Sequence, residues 1–480
     1  MTAAMIFAAM STVLQPSPGN PLVAVRLVFR TGSVDDPKGK EGLAALTAAM
    51  VGKGGSKAQP YAEAVEALYP LAADIRVRAD KEVTVVEGVV HRDNVDAYMK
   101  LLLERVLEPR FAEDDFTRNR QDAMDAIAKT LRGNDDENLG KQALAQAMYG
   151  AAHPYGRPTL GTVEGLKAIT LDDVKKFWQT HWTRDRLIVG LAGGYPDGFS
   201  DKLTKELAKL PAKGAAMAKL PATPKAASVV VVDKPARASA ISIGRPIKVT
   251  RSDNDFYPLF LAASYLGEHR TFNGVLMNHM RGVRGMNYGD YAYVENFIQQ
   301  GGSTFPLPNI TRRGQHFEIW IRPVPPQNTG FALREAIYET DKLVREGIPQ
   351  AGFDATKEFL THYSNLWTQD VSRRLGYAMD AVIYGKDLQG ELKARLPKMT
   401  KADVDKAIKK YLSAKDLSVG IVSDKGSELA KTLEAGDPTP MHYDTKGTPD
   451  AILEEDKVIE KFPLSLGKIS VVPADQMFDK

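Results

Sequence analysis

Unbroken and alternating apolar runs in the first part of the chain predict strands, and runs with helical spacing lie between them. Leu22–Phe29 is typical of a strand, and Ile75–Val90 is typical of two strands joined by a turn at Asp80–Lys81. Apolar residues at helical spacing predict helices over Leu43–Val51, Val95–Val106 and Phe116–Leu131. Because the turn pairs its two strands antiparallel, the pattern favours an α+β sandwich, in which helices cover a mostly antiparallel sheet.

The same helix–strand pattern occurs twice in the chain, 230 residues apart. Thr170–Gly190 and Thr400–Gly420 align without a gap. Each copy starts with a threonine suited to cap a helix and ends in a short apolar strand. Upstream of each copy, Phe116 and Phe353 open a long helix. The matched positions include Asp173/Asp403, Val174/Val404, Lys176/Lys406, Leu187/Leu417, Val189/Val419 and Gly190/Gly420. The repeat predicts a duplicated chain with two homologous halves.

The boundary between the halves is marked by a change in composition. Leu210–Ala227 is rich in proline, alanine and lysine and has no sustained periodicity, which is typical of a linker. We therefore predict an N-terminal α+β domain over residues 1–212, a linker over 213–227 and a C-terminal α+β domain over 228–480. Each half is expected to bury its own core. From Asp437 onward we expect an extended tail along the surface.

Composition excludes several classes of function. The formal net charge is only +3, from 63 basic and 60 acidic residues, which argues against a nucleic-acid binder. The chain has no cysteine, so thiolate metal ligands and a cysteine nucleophile are excluded. No apolar stretch is long enough to span a membrane. The apolar Met1–Leu14 lacks the basic start of a secretory signal, so the location stays open between the periplasm, with a trimmed leader, and the cytoplasm.

The stretch Thr31–Gly55 resembles the opening of the pitrilysin/insulinase family of inverted-motif zinc peptidases. In catalytic members, Gly-Leu-Ala precedes His-x-x-Glu-His on a helix, where both histidines bind Zn²⁺ and the glutamate is the general base. Gly42-Leu43-Ala44 matches the first part of this pattern, and His153–Leu166 matches the family's His-Pro-Tyr turn and Gly-Thr helix entry. The resemblance covers most of the chain and implies two duplicated halves that form one half of a clamshell.

On this register, alanine occupies all four chemical positions of the family's metal site. Ala45 and Ala49 stand in place of the histidines, Ala48 in place of the general base, and Ala126 in place of a third, glutamate ligand. An alanine methyl has no lone pair for a metal, and alanine is the best helix former. We therefore expect a structural helix and no cofactor on this chain. Engineered removal of a native site would leave the same alanines, and both explanations stay open.

The second half resembles the family in a different feature. Catalytic members take from their C-terminal half an arginine and, seven residues later, a tyrosine. Arg281 and Tyr288 have this spacing, and the resemblance implies that they donate hydrogen bonds to substrate carbonyls. Arg284 and Tyr291 have the same spacing and are an alternative pair. Without the resemblance, such residues are a solvated helix-end cation and an ordinary half-buried aromatic.

Together, these features imply the non-catalytic subunit of a heteromeric zinc metallopeptidase. Its expected partner is a homologous catalytic subunit that carries His-x-x-Glu-His and binds the zinc, and peptides are its expected substrates. We expect no activity from the chain alone. Two alternatives stay open: a non-enzymatic scaffold subunit with the same fold, and a peptide-binding module that acts by itself.

Overall fold

A computed structural model describes residues 10–267, 274–299, 301, 303–444 and 446–480. From residue 10 onward, the first half contains five strands and eight α-helices: β1 (Ser11–Pro16), β2 (Leu22–Phe29), α1 (Leu43–Lys53), α2 (Tyr61–Leu68), β3 (Arg76–Ala79), β4 (Thr84–His91), α3 (Val95–Leu107), α4 (Glu113–Asp125), α5 (Asp136–Tyr149), α6 (Val163–Ala168), α7 (Leu171–His181), β5 (Leu187–Gly193) and α8 (Phe199–Leu207).

The described part of the second half contains six strands and eight α-helices. In chain order they are β6 (Ser228–Asp233), β7 (Ser239–Ile247), α9 (Phe256–Gly267), β8 (Asp290–Tyr293), β9 (Gln315–Val324), α10 (Thr329–Glu346), α11 (Gln350–Leu366), α12 (Val371–Tyr384), α13 (Leu388–Arg395), α14 (Lys401–Tyr411), β10 (Ser418–Ser423), α15 (Gly426–Ala435), α16 (Asp450–Ile459) and β11 (Lys468–Pro473). No helix or strand lies between α8 and β6, and the predicted domain limits at 212 and 228 stay a prediction.

The two halves have the same sheet topology. The strand order is β1-β5-β2-β4-β3 in the first sheet and β11-β6-β10-β7-β9-β8 in the second. In each sheet the strand at the start of the half pairs in parallel with the strand at its end, and the remaining pairs, apart from the added β11, are antiparallel. The predicted duplicated α+β fold is therefore confirmed. The extra strand β11 pairs in parallel with β6.

The repeated helix start has the same geometry in both copies. The Thr170 hydroxyl accepts a hydrogen bond from the Asp173 amide and Asp173 bonds back to the threonine, and Thr400 and Asp403 form the same reciprocal pair. These capping boxes satisfy amide groups that have no partner inside the helix. The match in the sequence thus reflects one local structure that is built twice.

Each half gives one helix to the sheet of the other. Helix α5 of the first half packs on β6, β7 and β10, and helix α12 of the second half packs on β1, β2 and β5. The matched glycines lie at the two crossings. A Cβ at Gly420 would be 2.3 Å from the Leu144 amide nitrogen of α5, and a Cβ at Gly190 would be 2.4 Å from Met379 Sδ of α12. The aligned glycines of the repeat therefore mark where the exchanged helices cross.

Among the described residues, each half has its own core cluster, and that of the second half is built from that half alone, but that of the first half is not. The core of the first half includes Val230, Val232 and Val422 of the second sheet, because α5 brings them into contact with it. The end of the chain joins the same core, where Met477 and Phe478 are almost fully buried. The predicted extended tail is therefore wrong in part, since it contains α16 and β11 and returns to the first half.

Candidate functional site

The two motifs that carry the family resemblance lie against each other at the start of α1. Gly42 has a φ of 108°, and a Cβ there would be 2.4 Å from the Leu160 carbonyl oxygen. Gly161 has a φ of 91°, and its Cβ would be 2.0 Å from the Glu41 carbonyl oxygen. Only glycine fits both the close approach and these backbone angles. The Gly-Leu-Ala and Gly-Thr segments thus form one structural unit.

The four alanines lie on helices that pack side by side. Ala45 and Ala49 are one helical turn apart on α1 and partly exposed, whereas Ala48 is buried. Helix α4 packs beside α1, and the chain continues from Asp125 as a π-helical segment, Ala126–Asn134. The predicted helix over Phe116–Leu131 is thus confirmed in place, although its second part is π-helical. Methyl groups at these positions do not fit a zinc ion, which needs nitrogen, sulfur or oxygen ligands.

Arg281 and Tyr288 lie in contact beside the start of β8. Arg281 is near the end of a second π-helical segment, Met277–Val283, and its guanidinium carbon is 4.8 Å from the centre of the Tyr288 ring. Arg281 is partly exposed and the Tyr288 side chain is 76% exposed. A cation over an aromatic face holds both groups in one orientation. Both predicted residues are thus brought together where a ligand can reach them.

The alternative pair has a different environment. Arg284 is 4% exposed, and its guanidinium binds Glu335 at 2.7 Å, Glu455 at 2.8 Å and Asp456 at 2.8 Å. Burial lowers the pKa of Arg284, but Glu335 and the other carboxylates outweigh it and raise the pKa above its usual range. Tyr291 is 5% exposed under Arg322. This arginine therefore anchors α10 and α16, and its donors are used inside the protein.

Several residues that sequence reasoning missed hold the segment that carries Arg281. His279 Nδ1 lies 2.6 Å from Glu339 Oε1 on α10, one helical turn from the buried Glu335. Asp290 at the start of β8 is fully buried, and burial raises its pKa to about 8 against the opposing effects of Asn287 and Arg281. The sequence did contain a signal for these contacts: Glu335 and Glu339 lie four residues apart among mostly apolar residues of α10. Buried carboxylates need cationic partners, so this pattern indicates that a cationic side chain packs against the helix.

Among the described residues, no group of three or more histidine, aspartate or glutamate side chains is arranged to hold a metal ion. Within that same part of the chain, no helix is both long and apolar enough to cross a membrane.

Comparison with known proteins identifies the family. A sequence model described as "Insulinase (Peptidase family M16)" matches residues 11–163, and one described as "Peptidase M16 inactive domain" matches residues 168–360. Together the two matches cover well over half of the 480 residues. The chain therefore belongs to the insulinase family, peptidase family M16.

Similar proteins agree with this membership. A protein of Helicobacter pylori named "Non-peptidase homolog YmxG" is 23% identical over 411 residues, which are 84% of this chain and 90% of that protein. The mitochondrial-processing peptidase subunit beta of Dictyostelium discoideum is 26% identical over 164 residues, 34% of each chain. A crystal structure of a peptidase M16 inactive domain from Pseudomonas fluorescens has a TM-score of 0.75 at 21% identity, covering 87% of this chain and 96% of that one. With the alanines, these matches support a non-catalytic family member.

Proposed function

We propose that this chain is the non-catalytic, substrate-binding subunit of a heteromeric zinc metallopeptidase. Its partner is a homologous subunit that carries His-x-x-Glu-His and holds the zinc, and Arg281 and Tyr288 reach peptide substrate in a chamber that both subunits share. One observation carries the proposal. Alanine stands at every position where the family resemblance implies a metal ligand, while Arg281 and Tyr288 are accessible and in contact, with the guanidinium carbon 4.8 Å from the centre of the ring.

The environments of the two candidate pairs support Arg281 and Tyr288 as the functional one. A residue that binds substrate needs donors directed to solvent, and Tyr288 is the most exposed aromatic side chain among the described residues of the second half. The guanidinium of Arg284 forms ion pairs with three carboxylates, so Arg284 would bind substrate only after breaking those buried ion pairs. Arg281 also lies in a π-helical segment, a rare conformation that is frequent at functional sites.

The chemistry of the pair suits peptide binding beside a scissile bond. A guanidinium presents several fixed N–H donors and a phenol adds an O–H donor, and both can bind one peptide carbonyl oxygen. Such donors stabilise the negative charge that develops on this oxygen when water attacks the carbonyl carbon. The ring of Tyr288 restricts the guanidinium, so less conformational entropy is lost on binding. The metal ligands and the general base that activates the attacking water belong to the partner.

The relatives support a subunit role. One is named a non-peptidase homolog and another is named the beta subunit of a processing peptidase, so the family includes both non-peptidase chains and chains of multi-subunit enzymes. A scaffold without a role in substrate binding would have the same fold, and only the arginine–tyrosine pair separates the two functions.

The test is a peptide-hydrolysis assay of the chain alone, the His-x-x-Glu-His partner alone and the mixture. We expect cleavage only in the mixture, and we expect Arg281→Ala to lower kcat/KM of the mixture by about 10²-fold. The matched control is Arg373→Ala, because Arg373 is also partly exposed and lies over an aromatic ring, Phe305, at 4.7 Å. Cleavage by the chain alone, or an Arg281→Ala complex as active as the control, would contradict the proposal.

A further inference from the structure

A cavity of about 550 Å³ lies between the two halves of the chain. Its walls include the turn between β3 and β4, one side of α5 along its whole length, residues 296–299 and the face of β9 that carries Trp320. It contains none of the four alanines and neither Arg281 nor Tyr288. The cavity is therefore separate from the site described above, and the proposed function leaves it without a role.

Two oppositely charged groups in the cavity wall are buried but poorly paired. Asp80 is 5% exposed and Arg312 is 8% exposed. The closest approach between their charged atoms, Asp80 Oδ1 and Arg312 Nη2, is 3.7 Å, which is too long for a hydrogen bond. Asp80 Oδ2 and Arg312 Nε have no hydrogen-bond partner. Burying charged groups in this way is costly unless something else in the cavity binds them.

The overall charge of the lining favours a ligand that is itself neutral. Among the described lining residues, four lysine and arginine side chains face four aspartate and glutamate side chains. The positive side of the cavity is at Arg312, next to Lys81, where burial and Arg312 lower the pKa of Lys81 to about 7. A negative group bound there would relieve this repulsion. The distribution thus fits a molecule with a carboxylate at one point and an ammonium close by.

The matching place in the first half is filled by protein. In the first sheet, Gly190 pairs with Arg26, and Arg26 pairs with Glu87. In the second sheet, the repeated glycine Gly420 pairs with Ser242, and Ser242 pairs with Trp320. Trp320 is therefore the counterpart of Glu87. In the first half, Arg26 donates to the side chain of the fully buried Asn309 at 2.6 Å. This fold can therefore fill the space with its own residues. The second half instead keeps an open cavity between charged groups.

We propose that this cavity binds a free α-amino acid, whose carboxylate accepts hydrogen bonds from Arg312 and whose ammonium donates to Asp80. The two groups of an α-amino acid are adjacent, as are Asp80 and Arg312, whereas the two charged ends of a peptide are farther apart. Glu318 and Lys141 lie farther along the wall, Lys141 with its ammonium 3.6 Å from the centre of the Trp320 ring. These groups suit a polar side chain, and a cavity of about 550 Å³ has room for an amino acid and several waters.

Calorimetry on the full chain tests this assignment with three probes: L-glutamine, N-acetyl-L-glutamine, which has no ammonium, and L-alanyl-L-glutamine. We expect saturable binding of L-glutamine and at least about tenfold weaker binding of the other two, because each loses a charge-assisted hydrogen bond. The variant Asp80→Asn should bind L-glutamine and its acetyl derivative equally. The variant Arg312→Gln should lose both.

The matched control is Arg186→Gln, which breaks another buried arginine–aspartate pair, that with Asp35 at 3.2 Å, away from the cavity. It should keep wild-type affinity for L-glutamine. If the two cavity variants do not fold, the comparison of the three probes on the wild-type chain decides. The assignment is overturned by absence of L-glutamine binding up to about 10 mM, by tighter binding of the dipeptide, or by unchanged affinity in Arg312→Gln.

Discussion

At the scale of single residues, α1 has alanine at the positions where the family resemblance implies metal ligands. Gly42 still forms the close contact with Leu160 that starts the helix, and Ala45 and Ala49 still lie one turn apart on a partly exposed face. The packing of a helix against its neighbours does not depend on imidazole groups at its surface. Loss of zinc is therefore compatible with the family fold.

This account predicts that ligands can be put back. The triple variant Ala45→His, Ala49→His and Ala126→Glu should bind about one zinc per chain, because three protein ligands complete a catalytic-type site. Ala48 is left unchanged, since it is buried and a glutamate there would be overpacked. Metal content after dialysis measures the result. The double variant without Ala126→Glu is the control and should bind more weakly. A triple variant with no more zinc than the wild type would show that these positions are not in the family's register.

The buried Asp290 should make stability depend on pH. Burial raises the pKa of Asp290 to about 8 from its ordinary value of 3.8, so between these pH values the folded protein keeps a proton that the unfolded chain releases. This group therefore lowers the free energy of unfolding as pH rises. Asp290→Asn removes the effect, and the variant should gain about 1 kcal/mol on the wild type for each pH unit between 5 and 7.

Urea unfolding of both proteins at pH 5, 6 and 7 measures this difference. Asp122→Asn, at an exposed position on α4, is the control and should track the wild type. A constant difference between Asp290→Asn and the wild type across the series would show that Asp290 does not hold its proton.

At the scale of elements, periodicity predicted what is local. Strand β2 begins and ends where the apolar run does, the turn at Asp80–Lys81 joins β3 to β4, and α1 and α3 start at the predicted residues. Periodicity could not predict the exchange of α5 and α12, because an apolar helix face does not say which sheet it covers. Strand β11 was not predicted either, because the alternation of exposed and buried residues along it is weak. Its pairing with β6 also joins residues that are far apart in the chain.

The candidate site was predictable only through the family resemblance. An arginine and a tyrosine seven apart carry no signal alone, and two such pairs were present. What separates them is burial, and the burial of Arg284 depends on α10 and α16, which lie 51 and more than 170 residues away in sequence. The number of residues between a group and its partners thus limits what a single sequence reveals.

The crossing glycines give a prediction at this scale. A Cβ at Gly420 meets backbone atoms of α5, which cannot move without shifting the helix, whereas a Cβ at Gly190 meets the flexible end of Met379. Gly420→Ala should therefore lower the free energy of unfolding by about 3 kcal/mol, and Gly190→Ala by about 1 kcal/mol. Chemical denaturation of both variants measures the values. Equal losses would mean that the two crossings are not packed as described.

At the scale of the whole molecule, the halves depend on each other. Each sheet is covered on one face by a helix of the other half, and the end of the chain returns to the first half. There, the Val163 and Glu164 amides donate to the carbonyl groups of Phe478 and Asp479 at 3.1 and 2.9 Å. The chain should therefore unfold as one cooperative unit, although it was built by duplication.

Replacing the buried end of the chain tests this dependence. Phe478 is 5% exposed in the core of the first half, so Phe478→Ala should cost about 3 kcal/mol and keep a single transition. Leu453→Ala, in the same terminal segment but 38% exposed, is the control and should cost less than about 1 kcal/mol. Thermal and urea unfolding measure both. A Phe478→Ala variant as stable as the control would mean that the tail does not belong to the core.

The central claim is that Arg281 and Tyr288 of this chain bind substrate at the zinc site of a partner subunit. One kinetic measurement tests it most directly. It compares kcat/KM of the complex formed with the wild-type chain, with Arg281→Ala, with Tyr288→Phe and with both. The account predicts losses of about 10²-fold or more for the arginine, a smaller loss for the tyrosine, and a double variant that loses less than the product of the two, because both bind one carbonyl. Values within twofold of wild type for all three variants would contradict it.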